Sequence, residues 1–253
     1  MLIDAGISCR ETIKRMDRLG LSISAVKAIF VSHEHSDHIT GIPALSKKYQ
    51  LPVYITNNTL KDCPIPIEEH LIRHFETAAT ISIGNLLVHA FRKFHDAVDP
   101  HSFTVTCNDV RIGIFTDIGH SCPEVIDHFK KCHAVFLEAN YCKDMLEKGN
   151  YPYYLKRRIS GDSGHLSNTQ ALDLFINHRG RYFSHLVLSH LSKNNNSPEL
   201  VSKLFTEYAG ETKIIVASRY QETSVYHIDG KTPVAGPAVI KSLPPERLQL
   251  SLF

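Results

Sequence analysis

One hexad constrains this chain more than any other stretch: His33-Glu34-His35-Ser36-Asp37-His38, which follows the apolar run Ala28-Ile29-Phe30-Val31. Three imidazoles and two carboxylates crowd a single loop with neutral nitrogen and anionic oxygen donors. Such donors suit zinc and other first-row divalent ions. Further donors stand where later apolar runs give way to polar loops: His95-Asp96, Asp117 and His190. A single histidine in such a place reads as a surface residue. A donor-rich hexad with three later counterparts at strand ends reads as a metal centre, built where distant segments converge on one edge of a sheet. His70, His74, His89, His120, His128, His133 and His178 lack that context and read as surface or packing residues.

The rest of the chain supplies the strands and helices that such convergence needs. Leu2-Ile3-Asp4 opens as a strand ending at Gly6, and Ile13, Met16 and Leu19 follow at helical spacing. Strands are predicted at 28–31, 53–55, 81–94 (two, joined at Gly84-Asn85), 103–107, the segment ending at Thr116-Asp117, 135–137 and 186–188. Phe103, Val105 and Cys107 alternate with polar residues, the period of a half-buried strand. A helix is predicted over 39–48. Ser167-Asn168-Thr169-Gln170 is a capping box opening another, and Ser197-Pro198 starts a third. Hairpin-like strands are predicted around 214–216 and 225–228. Strands of both hairpin and helix-connected kinds imply an α/β fold with sheets covered by helices.

At 253 residues the chain is long enough for one large domain, and 43% hydrophobic against 21% charged residues is ordinary for a globular protein. Twenty-eight Lys and Arg against 26 Asp and Glu give a net charge of +2, too mild to identify a nucleic-acid partner without a local basic patch. Six cysteines without a Cys-x-x-Cys pair read as reduced thiols of a cytoplasmic protein. No apolar run approaches the ~18 residues of a membrane span, and the first residues lack the features of a signal peptide.

The ordered set His33 to His38, His95, Asp117 and His190 resembles the metal motifs of the metallo-β-lactamase superfamily. That resemblance covers nearly the whole chain and implies an αββα four-layer sandwich with its site at one edge. It implies that His33, His35 and His95 hold a first metal, that Asp37, His38 and His190 hold a second, and that Asp117 bridges them. An acid rather than a cysteine at 117 is similar to the hydrolase branches, and His35 departs from the flavo-diiron branch, which has Glu there. Leu2-Ile3-Asp4-Ala5-Gly6, Ser163-Gly164-His165-Leu166-Ser167-Asn168 and the run Leu188 to Asn196 resemble the WalJ/YycJ group, which is associated with DNA exonuclease activity. Members usually carry a strand and a Gly/Ser-rich turn ahead of the first of these segments. Met1 stands directly before it here, so either the start lies elsewhere or an edge strand is missing. The domain is expected over 1–243, followed by a tail over 244–253.

The expected chemistry is phosphodiester hydrolysis by two zinc or manganese ions roughly 3.5–4 Å apart. Asp37 would orient the attacking water as well as bind metal. His165, between Gly164 and a helix cap, is the candidate general acid or phosphate ligand. Ser192, Asn194, Asn195 and Asn196 are candidate donors to phosphate oxygens. Lys156, Arg157 and Arg158, interleaved with Tyr151, Tyr153 and Tyr154, are candidate nucleic-acid contacts. Glu138 ends a buried strand and suits either support of a ligand histidine or a helix cap. Gln249, Leu250, Leu252 and Phe253, beyond Pro244-Pro245, resemble the short peptide with which bacterial replication and repair proteins dock on the sliding clamp. DNA is therefore favoured over RNA as substrate. The rival readings are an RNA-processing nuclease, a hydrolase of small cyclic phosphodiesters, a thioester hydrolase, and a metal-stabilised adaptor without catalysis.

Overall fold

The computed structural model describes residues 1–231. The expected boundary at 243/244 and the tail residues Gln249, Leu250, Leu252 and Phe253 lie outside the described residues.

The first sheet is parallel throughout, with strands β1 (Leu2–Ile3), β2 (Ile29–Phe30), β3 (Val53–Ile55) and β4 (Ile72–His74) in spatial order β1-β2-β3-β4. Between them run α1 (Cys9–Arg18), α2 (Ser36–Ile39), α3 (Ile42–Tyr49) and α4 (Asn57–Asp62). The predicted single helix over 39–48 is broken at Thr40-Gly41. The Gly41 amide donates to the Ala5 carbonyl at 2.8 Å, and a Cβ at Gly41 would lie 2.0 Å from the Ile7 carbonyl oxygen. Only glycine lets the β1–α1 loop pass this close.

The second sheet begins with three antiparallel strands, β5 (Thr80–Ile83), β6 (Leu86–Arg92) and β7 (His101–Cys107), and continues through β8 (Val110–Phe115). From β8 onward every neighbour is parallel: α5 (Pro123–Lys130) leads into β9 (Ala134–Glu138). Helices α6 (Lys143–Lys148), α7 (Tyr153–Ser160) and α8 (Asn168–His178) then precede β10 (His185–Ser189), and α9 (Pro198–Thr206) precedes β11 (Lys213–Val216). The predicted capping box is formed, with the Ser167 side chain accepting from the Gln170 amide and Gln170 returning to the Ser167 amide. The prediction around 214–216 and 225–228 is corrected. β11 pairs in parallel with β10, and 225–228 forms no strand. Tyr226 packs instead through its ring, which lies beneath the Lys213 ammonium at 4.7 Å and beside His185 at 5.7 Å.

Alternation along the strands sorts the core into three slabs. Ile29 faces α1 and α3 with Ile42, Leu45, Val53 and Ile55, whereas its neighbour Phe30 turns inward to meet Val88, Ala90 and Phe103 of the second sheet. The outer face of the second sheet presents Phe91, Phe115, Val135, Leu137, Leu186 and Leu188 to Phe129, Phe175 and Phe205 of the helices. The order is therefore helix, sheet, sheet, helix, as expected.

Candidate metal centre

β6, β8, β9 and β10 all point the same way, since two antiparallel steps separate β6 from β8 and parallel steps follow. Their carboxyl ends share one edge, which also receives the loops after β1 and β2. Each chain exit carries a functional residue: Asp4 after β1, His33 to His38 after β2, His95 after β6, Asp117 after β8, Glu138 at the end of β9 and His190 after β10. Three of these, Asp4, Asp117 and His190, have positive φ of 57°, 53° and 58°. Non-glycine residues rarely adopt that conformation, so the surrounding structure holds these three in place.

Two donor groups form. His33, His35 and His95 each bring one donor atom within 4.8 Å of the others, and so do Asp37, His38 and His190. Asp117 belongs to three further groups of the same size, with His33 and His38, with His95 and His165, and with Glu138 and His190. Hydrogen bonds decide which ring nitrogen each histidine offers. The Ser32 hydroxyl donates to Asp4 at 2.7 Å and accepts from His33 Nδ1 at 2.8 Å, leaving His33 Nε2 directed at His35 Nδ1, 3.1 Å away. His95 Nδ1 donates to the Gly164 carbonyl at 3.0 Å, and its Nε2 lies 3.3 Å from the same His35 nitrogen. His38 Nδ1 donates to Asp4 at 2.8 Å, which frees Nε2. Carboxylates and carbonyls that fix ligand tautomers in this way are the usual support of metal-binding histidines.

Electrostatics point the same way. Burial pushes the pKa of His33 down, with Lys93 and His38 adding to it, and pushes that of His95 down to about 4, so both rings are neutral and have a lone pair to offer a metal. Burial acts downward on His38 and His190 as well, but Asp4 and Asp117 outweigh it at His38 and Asp117 outweighs it at His190. His38 is raised, and His190 reaches about 9. Burial would raise Asp117, yet His190, His38 and Lys93 hold it well below the usual carboxylate range. The centre thus gathers positive charge, and protons compete with divalent ions for its nitrogens. Two atoms test whether a metal fits. His38 Nε2 and Asp117 Oδ2 face each other at 3.2 Å, both buried, and neither has a hydrogen-bond partner. Buried polar atoms seldom go unsatisfied, and a cation seated between them and Asp37 or His190 would satisfy both. The donor set fits divalent metal.

All seven predicted ligands therefore meet at one edge. His165 joins them, its Nδ1 bonded to Glu138 at 2.6 Å and 3.8 Å from Asp117. Burial lowers the His165 pKa, but Glu138 outweighs it and the net shift is upward. Arg158 donates to Asp96, whose other oxygen lies 3.3 Å from His95 Nε2, so α7 is tied to the centre. Arg157 is exposed on the same helix, whereas Lys156 donates to the Glu147 carbonyl at 2.6 Å. Asn194 is exposed and donates to the Tyr151 hydroxyl at 2.9 Å, and the Ser192 hydroxyl accepts from the Asn195 amide at 3.3 Å. Two expectations are corrected. Asn195 is 1% exposed and its side chain turns back to Ser192, while the Asn196 amide donates to Asn168 at 2.8 Å and to the Ala139 carbonyl at 2.8 Å. Neither side chain is free to reach a phosphate: Asn195 braces its own loop, its backbone carbonyl accepting from the Cys142 amide at 2.8 Å, and Asn196 knits the β10–α9 loop to the β9–α6 loop.

Three functional residues escaped the sequence reading or were left open by it. Asp4 orients His38. Glu138, 0% exposed, accepts from the Ile118 and Leu166 amides at 2.8 and 3.2 Å while holding His165. Lys93, with a buried ammonium, donates to the Thr116 carbonyl at 2.7 Å and lies 3.9 Å from Asp117. The one sequence signal was position: each stands at or just beyond a strand end, although only Lys93 shares its strand end with a predicted ligand, His95.

A sequence pattern described as "Beta-lactamase superfamily domain" matches residues 1–190. The chain is 31% identical over 238 residues to the exodeoxyribonuclease YycJ of Bacillus anthracis, covering 92% of this chain and 88% of that protein. It is 30% identical over 205 residues to the exodeoxyribonuclease WalJ of Streptococcus pneumoniae, covering 79% and 76%. Among solved structures, Zn(2+)-bound PqqB from Methylobacterium extorquens shares the fold with a TM-score of 0.68 at 12% identity, over 89% of this chain and 83% of that one. A four-layer sandwich whose strand ends bring these histidines and acids together, and relatives matched along most of their length, lead to one assignment: the chain belongs to the metallo-β-lactamase superfamily, in the group of the YycJ and WalJ proteins.

Proposed function

We propose that this chain is a dinuclear metal-dependent phosphodiesterase that acts as an exonuclease on DNA in repair or replication. The observation that carries the reading is the pair of donor groups together with Asp117, which has an oxygen within 4.8 Å of donor atoms of His33, His38, His95 and His190, and the His165–Glu138 pair beside them. The names of the YycJ and WalJ relatives support a deoxyribonucleotide substrate. His33, His35 and His95 would hold one ion, and Asp37, His38 and His190 the other, with Asp117 between. Zinc or manganese held there would supply polarisation of a phosphate and a nucleophilic water at neutral pH.

The protein's own residues do the rest. Asp37, with 72% of its side chain exposed, stands at the mouth, where it can accept a hydrogen bond from an incoming water. Glu138 fixes His165 through Nδ1, so Nε2 is the nitrogen left to hand a proton to the departing oxygen. The Glu138 carboxylate beside Nδ1 favours the protonated ring. Arg157 and Arg158 on α7 neutralise phosphates beyond the scissile bond. The cytoplasm is the compartment that suits six free cysteines. Among the described residues no helix is long and apolar enough to cross a membrane. Gln249, Leu250, Leu252 and Phe253 would dock the enzyme on a sliding clamp.

End-labelled DNA and RNA, incubated with the purified protein and zinc or manganese, test the reading. We expect stepwise loss of nucleotides from DNA ends, abolished by chelator and restored by metal, with about two ions bound per chain by elemental analysis. Faster digestion of RNA would move the assignment to RNA processing. Failure to hydrolyse either polymer, or a generic phosphodiester, under metal-replete conditions would leave the adaptor reading.

A further inference from the structure

The most exposed aromatic residues among those described gather at one edge, whereas Phe136 and Tyr182, each 40% exposed, lie elsewhere. Among the described residues, four have more than half of their surface exposed: Phe94 (51%), Tyr153 (76%), Tyr154 (74%) and Tyr220 (72%). Exposing large rings in water has a cost, and single exposed apolar side chains are ordinary, but a cluster around one site marks a contact surface. All four lie beside the metal-bearing edge. Phe94 immediately precedes His95, and its ring lies 4.4 Å from that of His120. Tyr154 stands one helical turn before Arg158, the residue that ties α7 to Asp96 beside His95. Tyr153 bears the same relation to Arg157. Tyr151, just ahead of them, is bonded to Asn194 in the loop that follows His190.

Tyr220 reaches the edge from the opposite flank. Leu188 pairs with Val216, and the Ala217 amide continues the ladder to the Leu188 carbonyl at 2.8 Å. Residues 218–220 therefore leave the sheet alongside residues 190–192. Arg219 fixes them there by donating to the Leu191 carbonyl at 2.6 Å, one residue from His190. The Arg18–Glu222 pair, bonded at 2.6 and 2.5 Å, anchors the same segment to α1. The site mouth is thus flanked by rings on two sides, each accompanied by an arginine.

We propose that Phe94, Tyr153, Tyr154 and Tyr220 are a stacking rim for unpaired bases, so that the strand being cut enters as a single strand peeled away from its partner. The proposal rests on the phosphodiesterase reading and adds the form in which the substrate must arrive. A base within a duplex hides both faces and the end pair of a blunt duplex offers a ring only one, whereas each unpaired base offers two. Arg157 and Arg219 supply the charge complement along the backbone of the same strand. Rings without cations would suit an apolar peptide as well. Rings alternating with arginines around a phosphodiester site suit nucleic acid.

The test uses the metal-loaded protein with fluorescent DNA duplexes carrying phosphorothioate linkages, which resist digestion, and reads anisotropy at one fixed salt concentration. One duplex is blunt, and the other has three unpaired bases at one end. We expect the frayed duplex to bind about tenfold more tightly, an advantage lost in Tyr153→Ala/Tyr154→Ala and reduced severalfold in Tyr220→Ala. Tyr→Phe variants at the same positions should keep it, because the ring is retained. Metal content by elemental analysis and the circular dichroism spectrum should be unchanged in the variants, so that a lost preference reads on the rings and not on the fold. Equal binding of blunt and frayed duplexes, or alanine variants that keep the advantage, overturns the proposal while leaving the phosphodiesterase reading intact. Absence of hydrolysis of any phosphodiester by the unmodified protein counts against that underlying reading instead.

Discussion

Glu138 and Asp4 act without touching a substrate: one carboxylate holds His165, and the other holds His38 and Ser32. Their substitutions should therefore separate turnover from metal content. His165→Ala is expected to lower turnover by ~10²–10⁴-fold with both ions retained. Glu138→Gln should cost less, and the double variant no more than His165→Ala alone, since the two act as one unit. A change within twofold for His165→Ala, in a steady-state assay, removes it from the mechanism. Asp4→Ala is expected to weaken metal binding at His38 by ~10–100-fold, read by titration with zinc, while His33, His35 and His95 keep their ion. The candidate donors themselves were legible because donor-rich residues ended apolar runs. Their supports were not. Asp4 lies 28 residues from Ser32 and 34 from His38, and Glu138 lies 27 from His165, separations that no local pattern spans. Asn195 and Asn196 show the reverse error, since a polar run beside a ligand looked like a phosphate cradle and is a buried brace.

Helix α5 covers the second sheet partly through His128, whose ring stacks on Phe91 with centroids 4.0 Å apart and planes at 14°. Burial, with His89 and Lys131 nearby, pushes its pKa from the ordinary 6.5 down to about 4. The unfolded chain therefore takes up a proton as pH falls below about 6.5, while the folded chain refuses it until about 4. Stability should decline across that window. His128→Phe keeps the stack and removes the proton. Relative to the unmodified protein, the variant should gain stability between pH 7 and pH 5 in urea melts. An unchanged difference between the two pH values would show that His128 titrates normally. Elements with strong patterns were readable, as the capping box at Ser167 and the strands at 53–55, 103–107 and 186–188 show. Helices α5, α6 and α7 were not foreseen. α7 buries none of its residues and α6 only Leu146, so neither writes an apolar stripe into the sequence.

At the scale of the whole molecule, the proposed clamp contact is separable from the chemistry. Burial of Leu252 and Phe253 in a partner's pocket would contribute about 1.5–3 kcal/mol each before ordering costs, which suits a transient, roughly micromolar tether. Deletion of 249–253 should leave digestion of short oligonucleotides intact and abolish binding in a titration with the cognate clamp. Equal binding by both forms would sink the contact. The four-layer architecture was legible from the resemblance, but the break at Gly41 and the parallel edge strand β11 were not, because each depends on which distant backbone lies alongside. The order in which the ligands occur along the chain has a consequence for synthesis. His33, His35, Asp37, His38 and His95 are all made early, and Asp117 soon after, but His190 follows His95 by 190 − 95 = 95 residues. On the proposed assignment, a growing chain holds the three-histidine donor group by residue 95 but completes the second group only at residue 190, about three quarters of the way along its 253 residues, so cutting that needs both groups would have to wait for that point.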